Sequence, residues 1–157
     1  MSEPRAQERA HEQRFEVRWS DLDANRHLRN TVFSEYATHT RFSLLAAHGF
    51  PQARFEALRF GPVMFREEIR YRREVRFGDA VVVNVLFAGL SPDGSQWKVV
   101  QEVARADGRQ AAVLTIQGAW IHLDARRLIA PPPELLALLQ GLPRTRDFED
   151  LPSVARR

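Results

Sequence analysis

The chain has 157 residues, 44% hydrophobic and 27% charged, enough apolar material for one domain with a real core. It contains no cysteine, which excludes a disulfide framework, a thiol nucleophile and cysteine metal sites. The net charge is +3 and almost all the positive charge is arginine interleaved with Glu and Asp (Lys98 is the single lysine), so no basic face for nucleic acid is expected.

The opening residues 1–14 are polar and lack a signal-peptide core, and no apolar run reaches membrane-spanning length, so a soluble cytoplasmic protein is expected. Residues 1–12 read as a flexible arm, 13–141 as one domain and 142–157, rich in Pro, Arg and Asp, as a mobile tail. Phe15 to Trp19 alternates and predicts a strand. A polar loop follows, and then Val32, Phe33, Tyr36, Ala37, Thr40, Leu44 and Ala47 recur at spacings of three and four. They predict a helix capped by Asn30 or Thr31 and ended by Gly49 and Pro51. Gln52 to Leu58 reads as a loop or a short helix.

Four strand-like segments come next: Val63 to Phe77, Ala80 to Leu90, Gln96 to Ala106 and Gln110 to Leu123. Turns at Gly78-Asp79, Pro92-Asp93-Gly94 and Asp107-Gly108 separate them. The valine-rich second segment is apolar on both faces and is expected to be central. A short helix is predicted from Glu134 to Gln140. Strand, long helix and a four-stranded antiparallel meander together predict an α+β fold with the helix across the concave face of a curled sheet.

Chemistry-bearing residues concentrate between the first strand and the long helix. Asp23, Asn25 and His27 put a carboxylate, an amide and an imidazole at alternate positions. The segment from Asp21 to Asn30, DLDANRHLRN, resembles the D-L-D-x-N-x-H-x-x-N segment of acyl-ACP thioesterases. It also resembles the D-x-D-A stretch of 4-hydroxybenzoyl-CoA thioesterase-like proteins, whose second aspartate is catalytic. Phe33 follows ten positions after that aspartate, as in both families. Tyr71-Arg72-Arg73-Glu74-Val75 is similar to the Y-R-R-E-C strand of the plant acyl-ACP enzymes, where the glutamate belongs to the active site; Val75 replaces the cysteine. The chain is thereby identified as resembling the hotdog-fold thioesterases over about residues 13–123. The resemblance implies hydrolysis of an acyl-CoA or acyl-carrier-protein thioester. It also implies a homodimer or homotetramer with its site at a subunit junction.

Thioester hydrolysis needs an activated attacking group, oxyanion donors and a grip on the thiol carrier. Asp23 is expected to activate water or attack directly, Asn25 to orient water or the carbonyl, and His27 to bond the carboxylate or take a proton. Unpaired N–H groups at the helix start, on Asn30, Thr31 and Val32, are natural oxyanion donors. Phe33 and Tyr36, in the first turns, could line the acyl tunnel. Glu74 has two open readings: a site carboxylate that would titrate as a coupled pair with Asp23, or one rung of a solvated charge ladder with Glu68, Arg70, Arg72 and Arg76. Asp21 reads as a turn cap. Arg66, Arg72 and Arg73 are candidates for substrate phosphates. His11, His39, His48 and His122 have no metal-ligand spacing, so no metal and no cofactor are expected. A hydratase on the same fold and a non-catalytic acyl-binding module remain as alternatives.

Overall fold

The structure is a computed structural model that describes residues 9–156. Most of the expected arm, residues 1–8, lies outside the described residues. The first strand, β1 (His11–Glu16), starts inside that arm and stops before Trp19. Trp19–Asp21 turns as a short 3-10 segment instead. The long helix α1 (Asn30–Ala47) follows, then α2 (Gln52–Leu58), β2 (Phe60–Tyr71), β3 (Ala80–Leu90), β4 (Gln96–Arg105) and β5 (Gln110–His122). The chain closes with β6 (Leu128–Ile129), α3 (Pro133–Gly141) and β7 (Arg144–Asp150).

The order across the sheet is β1-β3-β4-β5-β2, all antiparallel neighbours. This corrects the expected four-strand meander: β3, β4 and β5 form one, but β2 pairs with β5 from Phe60↔His122 to Tyr71↔Ala112. Gly78 and Asp79 still turn the chain, with Gly78 at φ +83, but they do not join neighbouring strands. β3 is interior, as its two-sided apolar character requires.

The helix packs on the sheet through Val32, Phe33, Tyr36, Ala37, Thr40, Leu44 and Leu45, all buried. Leu45 takes the place expected for Ala47, which is exposed. Each large apolar side chain buried this way contributes roughly 1.5–3 kcal/mol. One fully buried polar group, Gln101 of β4, ties helix to sheet: its amide donates to the carbonyls of Ala37 (3.0 Å) and Asn84 (3.2 Å), and its oxygen accepts from Arg41 (2.8 Å). Its hydrogen-bonding capacity is filled, so it stiffens the core rather than weakening it. The helix ends at Gly49, φ +89, where the Phe50 N–H donates back to the Leu45 carbonyl (2.9 Å).

The segment expected to be a mobile tail is structured. β7 runs parallel to β3, with Gly89↔Glu149 and Leu90↔Asp150, and covers the part of the β3 edge that β1 leaves open. Leu151 is buried beside Gly89, where an added Cβ would lie 3.0 Å from the leucine Cγ. Ser153 donates to Asp93 and the Val154 N–H donates to the Ser95 hydroxyl (2.9 Å). The alternation signal in Arg144–Asp150 is weak because β7 is half exposed and its buried partners are far away in sequence.

Candidate active site

Residues 22–28 form a tight turn. Leu22 and Leu28 bridge each other, and the Asp23 N–H donates to the His27 carbonyl (2.9 Å). The Asp23 Oδ1 accepts from the Asn25 N–H (2.8 Å) and the His27 N–H (3.2 Å), so the carboxylate organises the loop that carries it. Among the described residues no donor meets Oδ2. Arg26 occupies the left-handed region, φ 64, at the tip of the turn. The turn is fastened to residues 74–76: the Leu28 N–H donates to the Val75 carbonyl (2.6 Å) and His27 bridges Arg76.

Asp21 sits below, 2% exposed, and holds the base of the loop. It accepts from Arg18 through its guanidinium (2.9 and 3.2 Å) and backbone N–H (3.1 Å), and from the Tyr36 hydroxyl (3.2 Å). The Arg18 guanidinium holds the Asp21 carboxyl below the usual carboxylate range. Burial, with the Asp21 charge beside it, pushes the Tyr36 hydroxyl up to about 12, so Tyr36 stays a donor. This is the capping role expected for Asp21. The Tyr36 ring stacks on Phe15 with centroids 4.2 Å apart while its hydroxyl serves Asp21, and Tyr36 is not part of the wall of the groove that Asp23 borders.

Asp23, though exposed, borders a groove whose walls include His27, Asn30, Phe33, Tyr71 and Glu74, with Arg72 and Arg73 at the rim. Phe33 is buried and meets the Tyr71 ring edge-on at 5.4 Å. The Tyr71 hydroxyl donates to the Asn30 carbonyl (3.2 Å), and burial raises its pKa. β2 ends at Tyr71, so strand parity does not extend to Glu74, which lies on the loop beyond the strand and keeps one ladder partner, Arg76. From that loop the Glu74 Oε2 meets His27 Nε2 at 2.8 Å, while its Oε1 accepts from Arg76 (2.6 and 3.1 Å). Arg76 holds the Glu74 carboxyl below its ordinary value, with smaller help from His27 and Arg105. Glu74 thus contacts both His27 and Arg76 at the edge of the groove.

At the helix start, Arg29 is the capping residue and no side chain caps the end, so neither Asn30 nor Thr31 does so. The Val32 N–H donates to the Arg29 carbonyl (3.0 Å) and Val32 is 1% exposed, which removes it from the expected oxyanion donors. Asn30 and Thr31 are exposed, and no described residue accepts from their N–H groups. Asn25 borders a second groove, with Trp19, Leu22, His27, Arg26, Arg76 and Phe77, and is not part of the wall of the groove that Asp23 borders. Arg66 pairs with Glu68 (3.2 Å) on β2 and borders neither groove. The Arg73 Nη1 is spent on the Gln110 carbonyl (2.7 Å).

Sequence reasoning did not assign a site role to Tyr71, Arg76 or Trp19. Tyr71 stood in the same run as Glu74 and was legible there; Trp19 and Arg76 carried no spacing signal.

Three solved structures illustrate the likeness of the whole chain. A Staphylococcus aureus protein characterised in complex with CoA aligns at a TM-score of 0.81 and 15% identity, covering 99% of this chain and 94% of its own. A 1,4-dihydroxy-2-naphthoyl-CoA thioesterase from Synechocystis aligns at 0.76 and 15% identity, covering 85% and 97%. A DHNA-CoA thioesterase from Staphylococcus aureus aligns at 0.75 and 14% identity, covering 82% and 87%. At such identities the likeness carries the fold alone. A comparison with curated proteins gives no match. The family model of the thioesterase-like superfamily matches residues 17–139, from just after β1 to within α3. The chain belongs to the thioesterase-like superfamily and has its hotdog fold, a curled antiparallel sheet around one long helix.

Proposed function

We propose that the protein hydrolyses an acyl thioester of coenzyme A, with Asp23 as the carboxylate that activates water or attacks the carbonyl. The observation that carries the reading is the groove in which Asp23, His27 and Glu74 meet the open start of α1. Family membership supports the reaction class, and the CoA complex and CoA thioesterases among the similar structures support the carrier.

In this reading a thioester carbonyl lies between Asp23 and the N–H groups of Asn30 and Thr31. The Asp23 Oδ2 faces the incoming water or the carbonyl carbon, while Oδ1 keeps the loop in place through Asn25 and His27. The helix start stabilises the oxyanion as charge builds on the carbonyl oxygen. His27, held by Glu74, steadies the far side of the groove. The thiolate leaves without a strong acid because it is a weak base. Phe33 and Tyr71 form the apolar wall for the first carbons of the acyl group. The same reading expects a cytoplasmic homodimer or homotetramer. Exposed Trp19, Met64, Phe65, Tyr71 and Phe77 support association of copies.

The test is thiol release from a series of acyl-CoAs. Asp23→Asn keeps an oxygen for the Asn25 and His27 amides and so keeps the loop, while losing the basic carboxylate. A fall of about 10²–10⁴ in kcat is expected. Full activity in the variant, or no thiol release by the parent, refutes the proposal. One observation favours a second reading, a non-catalytic acyl-binding module: Asp23 already serves its own loop as a turn cap. That reading predicts acyl-CoA binding without turnover in the same assay.

A further inference from the structure

An apolar cavity lies further along α1, away from the groove of Asp23. Its volume is about 220 Å³, and buried residues line most of it: Leu44 and Leu45 of α1, Val85 of β3, Trp97 and Val99 of β4 and Trp120 of β5. It shares no bordering residue with the Asp23 groove. Along α1, Arg41 at this cavity stands about 12 Å beyond Phe33 at the other. Phe42, 44% exposed, borders the cavity where it reaches the surface. Of the residues that support association of copies, only Met64 borders it. Both indole N–H groups are already used, Trp97 on the Ala119 carbonyl (3.2 Å) and Trp120 on the Gly94 carbonyl (3.0 Å), so the rings bring no free donor to the wall.

One charged side chain borders this apolar space, the half-buried Arg41. Its Nη1 donates to the Gln101 side-chain oxygen (2.8 Å) and its Nη2 to the Thr38 hydroxyl (3.1 Å). Neither acceptor is an anion. A guanidinium carries five N–H groups, so most of its donors stay without an acceptor among the described residues. No described carboxylate reaches ion-pair distance either; Glu67 acts on Arg41 only from further off. Burial pulls the guanidinium below its ordinary pKa, and the Glu67 charge opposes that pull more weakly. A cation taken out of water without a counter-ion is costly, and an anion supplied by a ligand offsets that cost. A carboxylate fits best: it meets the guanidinium fork with two parallel bonds and carries the one charge that Arg41 leaves unbalanced. A phosphate ester brings more charge than one arginine neutralises, and an ammonium group is repelled. A cavity of about 150 Å³ holds a benzene molecule, so about 220 Å³ holds a ligand of roughly eight to ten non-hydrogen atoms.

We infer that this cavity is a second ligand site, which binds a free carboxylic acid of that size with its carboxylate on the Arg41 guanidinium and its hydrocarbon body among Leu44, Val99, Trp97 and Trp120. The site stands apart from the thioester reading: it is present or absent whatever Asp23 does.

The probes are octanoate, 1-octanol and octylammonium, which share one hydrocarbon chain and differ in charge. Trp19 lies elsewhere, in the second groove, so Trp19→Phe leaves Trp97 and Trp120, both at the cavity, as the fluorescent reporters. In that background octanoate should change tryptophan fluorescence saturably and bind tenfold or more tighter than 1-octanol, with octylammonium the weakest of the three. Arg41→Met keeps an unbranched apolar stem and loses the charge, so the preference for octanoate over 1-octanol should vanish in it. Gln101 loses a donor in that variant; should it fail to fold, the ranking of the three probes on the Trp19→Phe protein decides by itself. No saturable change with octanoate, octanoate binding no tighter than 1-octanol, or a preference that survives in folded Arg41→Met overturns the inference. Charge-dependent binding at the two tryptophans upholds it even where no thioester is hydrolysed, a result that would sink only the hydrolytic reading.

Discussion

Asp93 offers the sharpest test of how the end of the chain is held. It lies in the turn between β3 and β4 and gathers four donors: the hydroxyls of Ser91 (2.8 Å), Ser95 (2.7 Å) and Ser153, and the Ser95 N–H (3.0 Å). Burial works against its charge, but the bonds from Ser153, Ser95 and Ser91 outweigh it and bring the carboxyl down to about 2 from 3.8. At about 1.4 kcal/mol per pH unit that depression is worth about 2 kcal/mol, and solvent screening of a part-exposed group brings it nearer to about 1 kcal/mol. The folded-state value is the lower one, so this stability is present above the unfolded-state value near 3.8 and is lost as pH falls towards about 2. Asp93→Asn should therefore be less stable than the parent by about 1–2 kcal/mol at pH 7. The gap should narrow by about half at pH 3, because the parent alone titrates there. Urea unfolding of both proteins at pH 7, 5, 4 and 3 measures it. A gap that is absent at pH 7, or unchanged down to pH 3, would refute the argument that a charged Asp93 clamps residue 153 to the sheet.

Gly118 faces the edge strand at close range: an added Cβ would lie 2.2 Å from the Val63 carbonyl oxygen and 2.5 Å from a Trp97 ring carbon. Backbone cannot yield as a flexible side chain can, so Gly118→Ala should cost about 3 kcal/mol, read as a lowered denaturation midpoint. A loss below about 1 kcal/mol would mean that β2 moves freely on β5. Glu74→Ala removes the acceptor of His27 from an exposed loop, so the fold should survive while kcat/KM for acyl-CoA drops about tenfold or more. Unchanged kinetics would reduce Glu74 to a surface charge. The loss in kcat expected for Asp23→Asn completes the set.

Much of this protein follows from local pattern. The stripe from Val32 to Leu44 determined the helix, and the alternation of valines determined β3, because burial on one face repeats at the period of the element itself. The D-x-N-x-H spacing determined that Asp23 and His27 share one turn, since bonds from the carboxylate to amides two and four residues on are short-range geometry. What depended on contacts between distant residues could be decided only in three dimensions. The place of β2 beside β5 rests on pairing across some fifty residues, and no turn residue encodes it. Glu74 reaches His27 because β2 ends at Tyr71, which a parity count carried past that point misjudged. Asn25 and Asp23 are two residues apart and yet border different grooves, which their spacing alone does not reveal. The last strand pairs with β3 because β1 leaves half of that edge uncovered, and unpaired backbone at a sheet edge is satisfied by whatever chain lies within reach.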